Sequence, residues 1–183
     1  MDMRKLIRLT TVATSMSLLE GQLRFLNENG YEVVAVANGE EELREVAQRE
    51  GVRTVHIDMQ RQISLMADLR SLWSLIRLFR REKPDIVHAN TPKGSLLAML
   101  AAWVCRVPVR IYTVTGLRFE TATGKFRQLL IAMERMACWC ASVVIPEGEG
   151  VKNTLIREKI TGKPLQVVHN GNINGVDLRY FEP

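Results

Sequence analysis

The chain is poor in the features that announce most specialised functions. Aromatic residues make up only 6%, too few for the stacking platforms that hold single-stranded nucleic acid, so no nucleic-acid partner is expected. There are three cysteines, Cys105, Cys138 and Cys140. They form no CxxC pair and have no neighbouring histidine, which argues against a zinc site; their odd number argues for reduced core thiols in the cytosol. No uninterrupted apolar run approaches the ~18 residues needed to span a bilayer. The opening stretch Met1–Ile7 is cut short by Arg8 and lacks the layout of a signal peptide. Neither a P-loop nor a GxGxxG fingerprint is present. After the first strand pattern the chain reads Thr10-Thr11-Val12-Ala13-Thr14-Ser15, so dinucleotide and nucleoside-triphosphate chemistry are not expected of this segment alone.

What is present reads as a soluble globular domain. Of 183 residues, 46% are hydrophobic and 25% charged, with a mean hydropathy of -0.03, which suits one full core. A formal net charge of +5 favours an anionic partner. Strand and helix patterns alternate. The strands are expected at 5–10, 31–37, 52–57, 85–89, 109–114, 142–145 and 165–168; the helices at 17–29, 40–50, 66–81, 94–105, 125–140 and 150–158. This order predicts an α/β fold: a doubly wound, mostly parallel Rossmann-like sheet with helices on both faces. In the usual strand order 3-2-1-4-5-6 the first and fourth strands are neighbours, so the loops at 10–15 and 88–93 would face each other across the ligand crevice. Residues 1–173 are read as this domain. Residues 174–183 are turn-rich and read as the start of a linker to a second domain.

The segment Lys83-Pro84-Asp85-Ile86-Val87-His88-Ala89-Asn90-Thr91-Pro92-Lys93-Gly94 is the most informative stretch. Pro84 stops a helix, Ile86-Val87 makes a short strand core, Thr91 suits a helix cap and Pro92 the first helical position. His88 ends the strand, where it could exchange a proton or bond a sugar hydroxyl. Lys93 and the helix start could hold a diphosphate. Gly116, Arg118 and Thr121 follow the fifth strand, with Arg118 a candidate phosphate contact. His56 and His169 read as structural or loop residues, and Glu147 and Glu149 as acids beside a helix start rather than a catalytic pair.

Around the helix at 66–81, Leu65, Leu69, Leu72, Trp73, Ile76 and Phe79 fall on one broad side, expected to pack on the sheet. Arg70, Arg77 and Arg81 fall on another arc, as a solvated stripe or a contact to an anionic membrane surface.

Taken together, Lys83–Lys93, Val107-Pro108-Val109-Arg110-Ile111-Tyr112-Thr113-Val114-Thr115-Gly116 and Asn174-Gly175-Val176-Asp177-Leu178 resemble the N-terminal domain of glycosyltransferase family 4 enzymes of two-Rossmann (GT-B) architecture. The capsule, O-antigen and exopolysaccharide transferases are the most similar. The resemblance implies retention of anomeric configuration without a metal and without a cofactor. The nucleotide-sugar donor is a substrate, bound mainly by a second domain. The acceptor, a lipid-linked saccharide, would meet Thr11, Thr14, Asn90, Thr91, Lys93, Thr115, Gly116 and Arg118, with His88 as catalytic candidate and Arg70, Arg77 and Arg81 facing the membrane. The implied location is cytoplasmic, peripheral to the inner face of the plasma membrane. Asn90 and Thr115 stand where the family often carries histidines. The segment alone is expected to be inactive, because half a cleft cannot hold donor and acceptor together. The alternative is a non-catalytic subunit that recruits a separate donor-binding chain to the membrane.

Overall fold

The computed structural model describes residues 3–175. Six strands, β1 (Arg4–Val12), β2 (Tyr31–Asn38), β3 (Arg53–His56), β4 (Ile86–Ala89), β5 (Val109–Val114) and β6 (Val143–Pro146), alternate with helices α1 (Gln22–Glu28), α2 (Glu40–Glu50), α3 (Leu65–Glu82), α4 (Pro92–Val104), α5 (Gly124–Cys140) and α6 (Glu149–Arg157). The sheet runs β3-β2-β1-β4-β5-β6, and each neighbouring pair is parallel. This is the doubly wound, Rossmann-like α/β fold that the alternating pattern predicts, with the β1/β4 switch point at its centre.

Both sheet faces are covered, so β1 and β2 are apolar in near-continuous runs. Ile7, Leu9, Val34, Val36 and Val87 point into the core beneath α3, α4 and α5. Leu6, Val33 and Ala35 point into a second core, closed by α1, α2 and a 3-10 helix over Ala13–Leu19. At the amino ends of the strands Glu82, last residue of α3, is bonded by Arg53 (2.5 Å) and Lys5 (3.1 Å). The latter cations pull the Glu82 carboxyl down to about 2, mainly through the Arg53 bond. On the second face, Glu50 at the end of α2 is fully buried and accepts the N–H groups of Gly21 (3.1 Å) and Arg24 (3.2 Å). A carboxylate from one helix thereby serves the orphan donors at the start of another.

Four expectations are corrected. The single first helix is a 3-10 helix and a short α1, separated because Gly21 takes φ 76°, a left-handed conformation incompatible with continuation. The seventh strand does not form: residues 165–168 have no regular structure. Thr10 and Thr11 belong to β1 rather than to the loop after it.

The fourth correction concerns α3. Ser71, Leu75, Ile76, Leu78 and Phe79 form its buried side, whereas Leu65, Leu69 and Trp73, expected to pack, are 79%, 61% and 57% exposed. Eighteen residues make a helix about 27 Å long. The four-residue strands β3 and β4 reach only about 13 Å. The helix is thus about twice as long as the two strands it connects. The predicted linker falls mostly on residues 176–183, outside the described residues.

Candidate functional site

At the carboxyl ends of β1 and β4, three groups tie the two strands together. Thr11 donates its backbone N–H to Thr91 Oγ1 (2.9 Å), the two threonine hydroxyls bond at 2.7 Å, and Gly94 N–H donates to Thr11 Oγ1 (3.0 Å). Only glycine fits at 94: a Cβ there would lie 2.6 Å from Thr91 Oγ1 and 2.9 Å from Thr11 N. The loops expected to face each other across a crevice are therefore joined. Thr91 does occupy the position before α4, with Pro92 first in the helix, but its hydroxyl makes no cap bond.

Open space lies beside this knot. A cavity of about 390 Å³ is lined by Thr11, Ser15, Arg61, Gln62, Lys93 and Arg118, with Val12, Thr91 and Pro92. Lys93 is buried and turned toward α3, where its ammonium meets Asp68 Oδ1 at 2.5 Å and the Gln62 carbonyl. Its charge is thus already balanced. The start of α4 is similarly committed: Pro92 has no N–H, Gly94 N–H serves Thr11, and Ser95 N–H bonds the Thr91 carbonyl at 2.7 Å. The free positive charge at this cavity comes from Arg61 and Arg118, both exposed and neither within ion-pair distance of a carboxylate among the described residues. Arg118 also borders two adjoining clefts, one lined by Glu134 and Met133 and the other by Phe126 and Thr121. Glu134 is buried and accepts the Tyr112 hydroxyl at 2.7 Å. Burial raises its carboxyl to about 7 against the opposing effect of that bond.

Of the residues singled out in the sequence, the structure brings together Thr11, Thr91, Lys93 and Arg118 around this cavity. It places the rest elsewhere. Thr14 is exposed in the 3-10 helix, its carbonyl bonded by Ser17 Oγ at 2.8 Å. Thr115 donates to the Asn90 carbonyl at 2.7 Å, and Gly116 has open space around it. The β1/β4 register puts Arg8 and His88 side by side on the Leu6 face of the sheet, opposite the α4 side. His88 Nε2 is paired with Thr113 Oγ1 at 2.8 Å. Burial, with the Arg8 charge adding, holds the imidazole well below its usual value, so the ring is neutral near pH 7. Arg8 is fully buried, bonding Gln22 (3.3 Å) and the His88 carbonyl (3.1 Å). Its Nη2, and both amide atoms of the fully buried Asn90, have no partner among the described residues.

Arg77 and Arg81 line a groove of about 540 Å³ along the edge strand, together with Arg80 and His56; Arg70 is exposed on the helix surface. Among the described residues no three His, Cys, Asp or Glu side chains converge as a metal site would need, and no helix is long and apolar enough to cross a membrane.

Ser15 lies in the loop expected at the crevice, whereas Arg61 and Gln62 lie in a loop that the sequence reading does not single out. A usable signal existed, because Asp58-Met59-Gln60-Arg61-Gln62 follows the third strand, and every loop at the carboxyl edge of such a sheet is a candidate.

Comparison with known proteins places this geometry in a family setting. The model of the glycosyl transferase 4-like domain matches residues 18–171. The capsular polysaccharide biosynthesis glycosyltransferase CapM of Staphylococcus aureus is 36% identical over 183 residues, covering 100% of this chain and 47% of that protein. The UDP-Gal:alpha-D-GlcNAc-diphosphoundecaprenol alpha-1,3-galactosyltransferase of Escherichia coli is 35% identical over 125 residues, 67% of this chain and 31% of that protein. The chain therefore spans less than half the length of either relative. In fold, it matches Anabaena Alr3699/HepE, solved with UDP and glucose, at TM-score 0.69 and 14% identity, over 92% of this chain and 45% of that one. A glycosyltransferase from Rickettsia africae matches at TM-score 0.67 and 13% identity, over 100% of this chain and 46% of that one.

Proposed function

This chain belongs to the glycosyl transferase 4-like family, and on that premise we propose that it forms the acceptor side of a retaining glycosyltransferase. The enzyme moves a sugar from a nucleotide-sugar to a saccharide on a lipid diphosphate, in the synthesis of a surface polysaccharide. The observation that carries this reading is the cavity beside the Thr11–Thr91 knot, with two guanidinium groups, Arg61 and Arg118, that no carboxylate among the described residues neutralises. A diphosphate presents several charged oxygens, and arginine meets such groups with paired, charge-assisted hydrogen bonds. The acceptor named for the Escherichia coli relative is a saccharide on diphosphoundecaprenol, which has this chemistry.

In this reading the acceptor diphosphate lies between Arg61 and Arg118 at the mouth of the cavity. Lys93, balanced by Asp68, fixes the floor rather than competing for the ligand. The two guanidinium groups balance the charge of the acceptor diphosphate and so anchor the acceptor at the cavity mouth. The nucleotide-sugar enters from a second domain, so the segment 1–183 without that domain transfers nothing.

The test uses the full-length enzyme and a water-soluble acceptor with a short prenyl chain. Arg61→Ala and Arg118→Ala are each expected to raise the acceptor KM about tenfold, as loss of one charge-assisted bond would, with donor KM unchanged. Unaltered acceptor kinetics in the double variant would reject the site.

A further inference from the structure

The cavity beside the Thr11–Thr91 knot does not end at Arg118. Pro92, Lys93 and Arg118 pass from its wall into that of a narrow cleft of about 20 Å³. Arg118 and Leu130 then pass from that cleft into the wall of a further space of about 400 Å³. The three form one trough, with Arg118 common to all of them. Its waist has room for about one water-sized group, so the trough consists of an inner and an outer chamber. The outer chamber is built by the loop after β5 and the first turn of α5. Thr121 and Thr123 are exposed there, and Phe126 is 49% exposed. Leu130, one turn after Phe126 and on the same side of α5, is buried and gives the chamber an apolar floor. The threonine hydroxyls are little used by the fold. Thr123 stands before α5 as its cap residue, yet its hydroxyl makes no cap bond. Thr121 reaches only the Arg118 carbonyl, at 3.4 Å.

We propose that the outer chamber is a saccharide subsite, which holds a second sugar residue of the acceptor over the Phe126 ring. A pyranose has C–H faces and a rim of hydroxyl groups. The Phe126 ring offers an apolar surface to one face. Thr121 and Thr123 each carry a hydroxyl that donates and accepts at the rim, and Arg118 donates to sugar oxygens from the opposite wall. Small-ligand sites combine apolar and aromatic surface with a few placed polar groups, in volumes of about 300–1,000 Å³. The chamber has that make-up and that size. Arg118 is its one charged lining group among the described residues, which suits a neutral sugar better than a second phosphate. The inference deepens the reading above and rests on it for one point, that the diphosphate lies between Arg61 and Arg118. With the diphosphate and first sugar in the inner chamber, the second sugar crosses Arg118 to Phe126. The acceptor presented for transfer is then a lipid-linked disaccharide or longer, rather than a single sugar.

The test uses the full-length protein and disaccharides that carry neither lipid nor phosphate: the methyl glycosides of chitobiose, cellobiose, maltose and lactose, titrated by saturation-transfer NMR. At least one should bind, with a Kd on the order of 1 mM. Phe126→Ala should weaken it at least about tenfold, as loss of a stacked ring would. Thr123→Val should weaken it about threefold, as loss of one neutral hydrogen bond would. Both positions are exposed, circular dichroism checks the fold, and Thr123→Val decides if Phe126→Ala is misfolded. The disaccharide that binds is then mounted on a short prenyl diphosphate. Its Kd should lie at least about tenfold below that of the monosaccharide counterpart in wild type, and equal it in Phe126→Ala. Absence of binding by all the disaccharides, undiminished binding in the folded variants, or equal Kd values for the two mounted sugars in wild type overturn the proposal. So does displacement of the free disaccharide by UDP, because Phe126 would then serve a nucleotide base. The free disaccharides carry no diphosphate, so acceptor kinetics unaltered at Arg61 would reject the diphosphate site and leave this result standing.

Discussion

At the amino ends of the strands, Glu82 draws α3, β1 and β3 together through bonds from Arg53 and Lys5. Toward the carboxyl ends, Asn90 and Ser95 are buried without partners and Arg61 and Arg118 border a cavity without an ion pair among the described residues; at the amino ends only one nitrogen of Arg49 is buried and unpartnered among them. Buried polar groups are ordinarily satisfied, so the larger share left open at the carboxyl end fits the ligand site proposed there. The same division runs along α3. Its last turn ends in the Glu82 ion pairs; its first turns carry exposed Leu65, Met66 and Leu69.

The sharpest way to break this comparison is to damage the one rigid point of the open end. Gly94→Ala puts a methyl 2.6 Å from Thr91 Oγ1 and 2.9 Å from the backbone nitrogen of Thr11, which a strand cannot yield without moving β1. A loss of about 3 kcal/mol or more is expected, at the upper end of overpacking effects. Gly116→Ala, with nothing within 4 Å, should cost less than about 0.5 kcal/mol. Urea denaturation of both variants decides it; equal stabilities would mean that the Thr11–Thr91 knot is not rigid.

The closed end is tested at Glu82. Its carboxyl lies at about 2 rather than 4.5, so the stabilisation it provides is present above pH 4.5 and is lost as pH falls through about 2. Glu82→Gln should therefore lower stability by about 2 kcal/mol at pH 7, discounted because Arg53 is half exposed. The gap to wild type should close in acid. A constant gap from pH 7 to pH 2 would show that the substitution acts through packing, not charge.

Glu134, which borders the open end, gives the opposite sign. Burial raises its carboxyl to about 7, above the ordinary 4.5, so its contribution is full below pH 4.5 and is lost as pH rises through about 7. Wild type should lose about 1 to 2 kcal/mol between pH 5 and pH 8. Glu134→Gln keeps an acceptor for the Tyr112 hydroxyl and should remove most of that slope. If stability in wild type is flat over this range, Glu134 is ionised in the fold and the two ends do not differ in pH response.

Periodicity and turn chemistry were enough to read the strand order, five of the six helices and the switch point at β1/β4, because these follow from local patterns and from the handedness of crossovers. The first helix could not be read whole, since the break at Gly21 is supported by Glu50, a carboxylate 29 residues away. The site was half legible. Thr91, Lys93 and Arg118 stand at strand ends and could be chosen from their loops, but nothing local reveals that Asp68 neutralises Lys93 or that Thr11 spends its hydroxyl on Thr91.

By itself the sequence determined the alternation of elements, hence a parallel sheet with its loops gathered at one edge, and it carried motifs distinctive enough to resemble one family. Only the tertiary structure decided which side of α3 is buried, which cation at the cavity is balanced by a carboxylate, and which face of the sheet holds His88. The physical reason is the same in each case. Periodicity fixes how side chains are arranged around one element, whereas burial and charge pairing depend on how far neighbouring elements reach and on which residues, distant in sequence, arrive beside them.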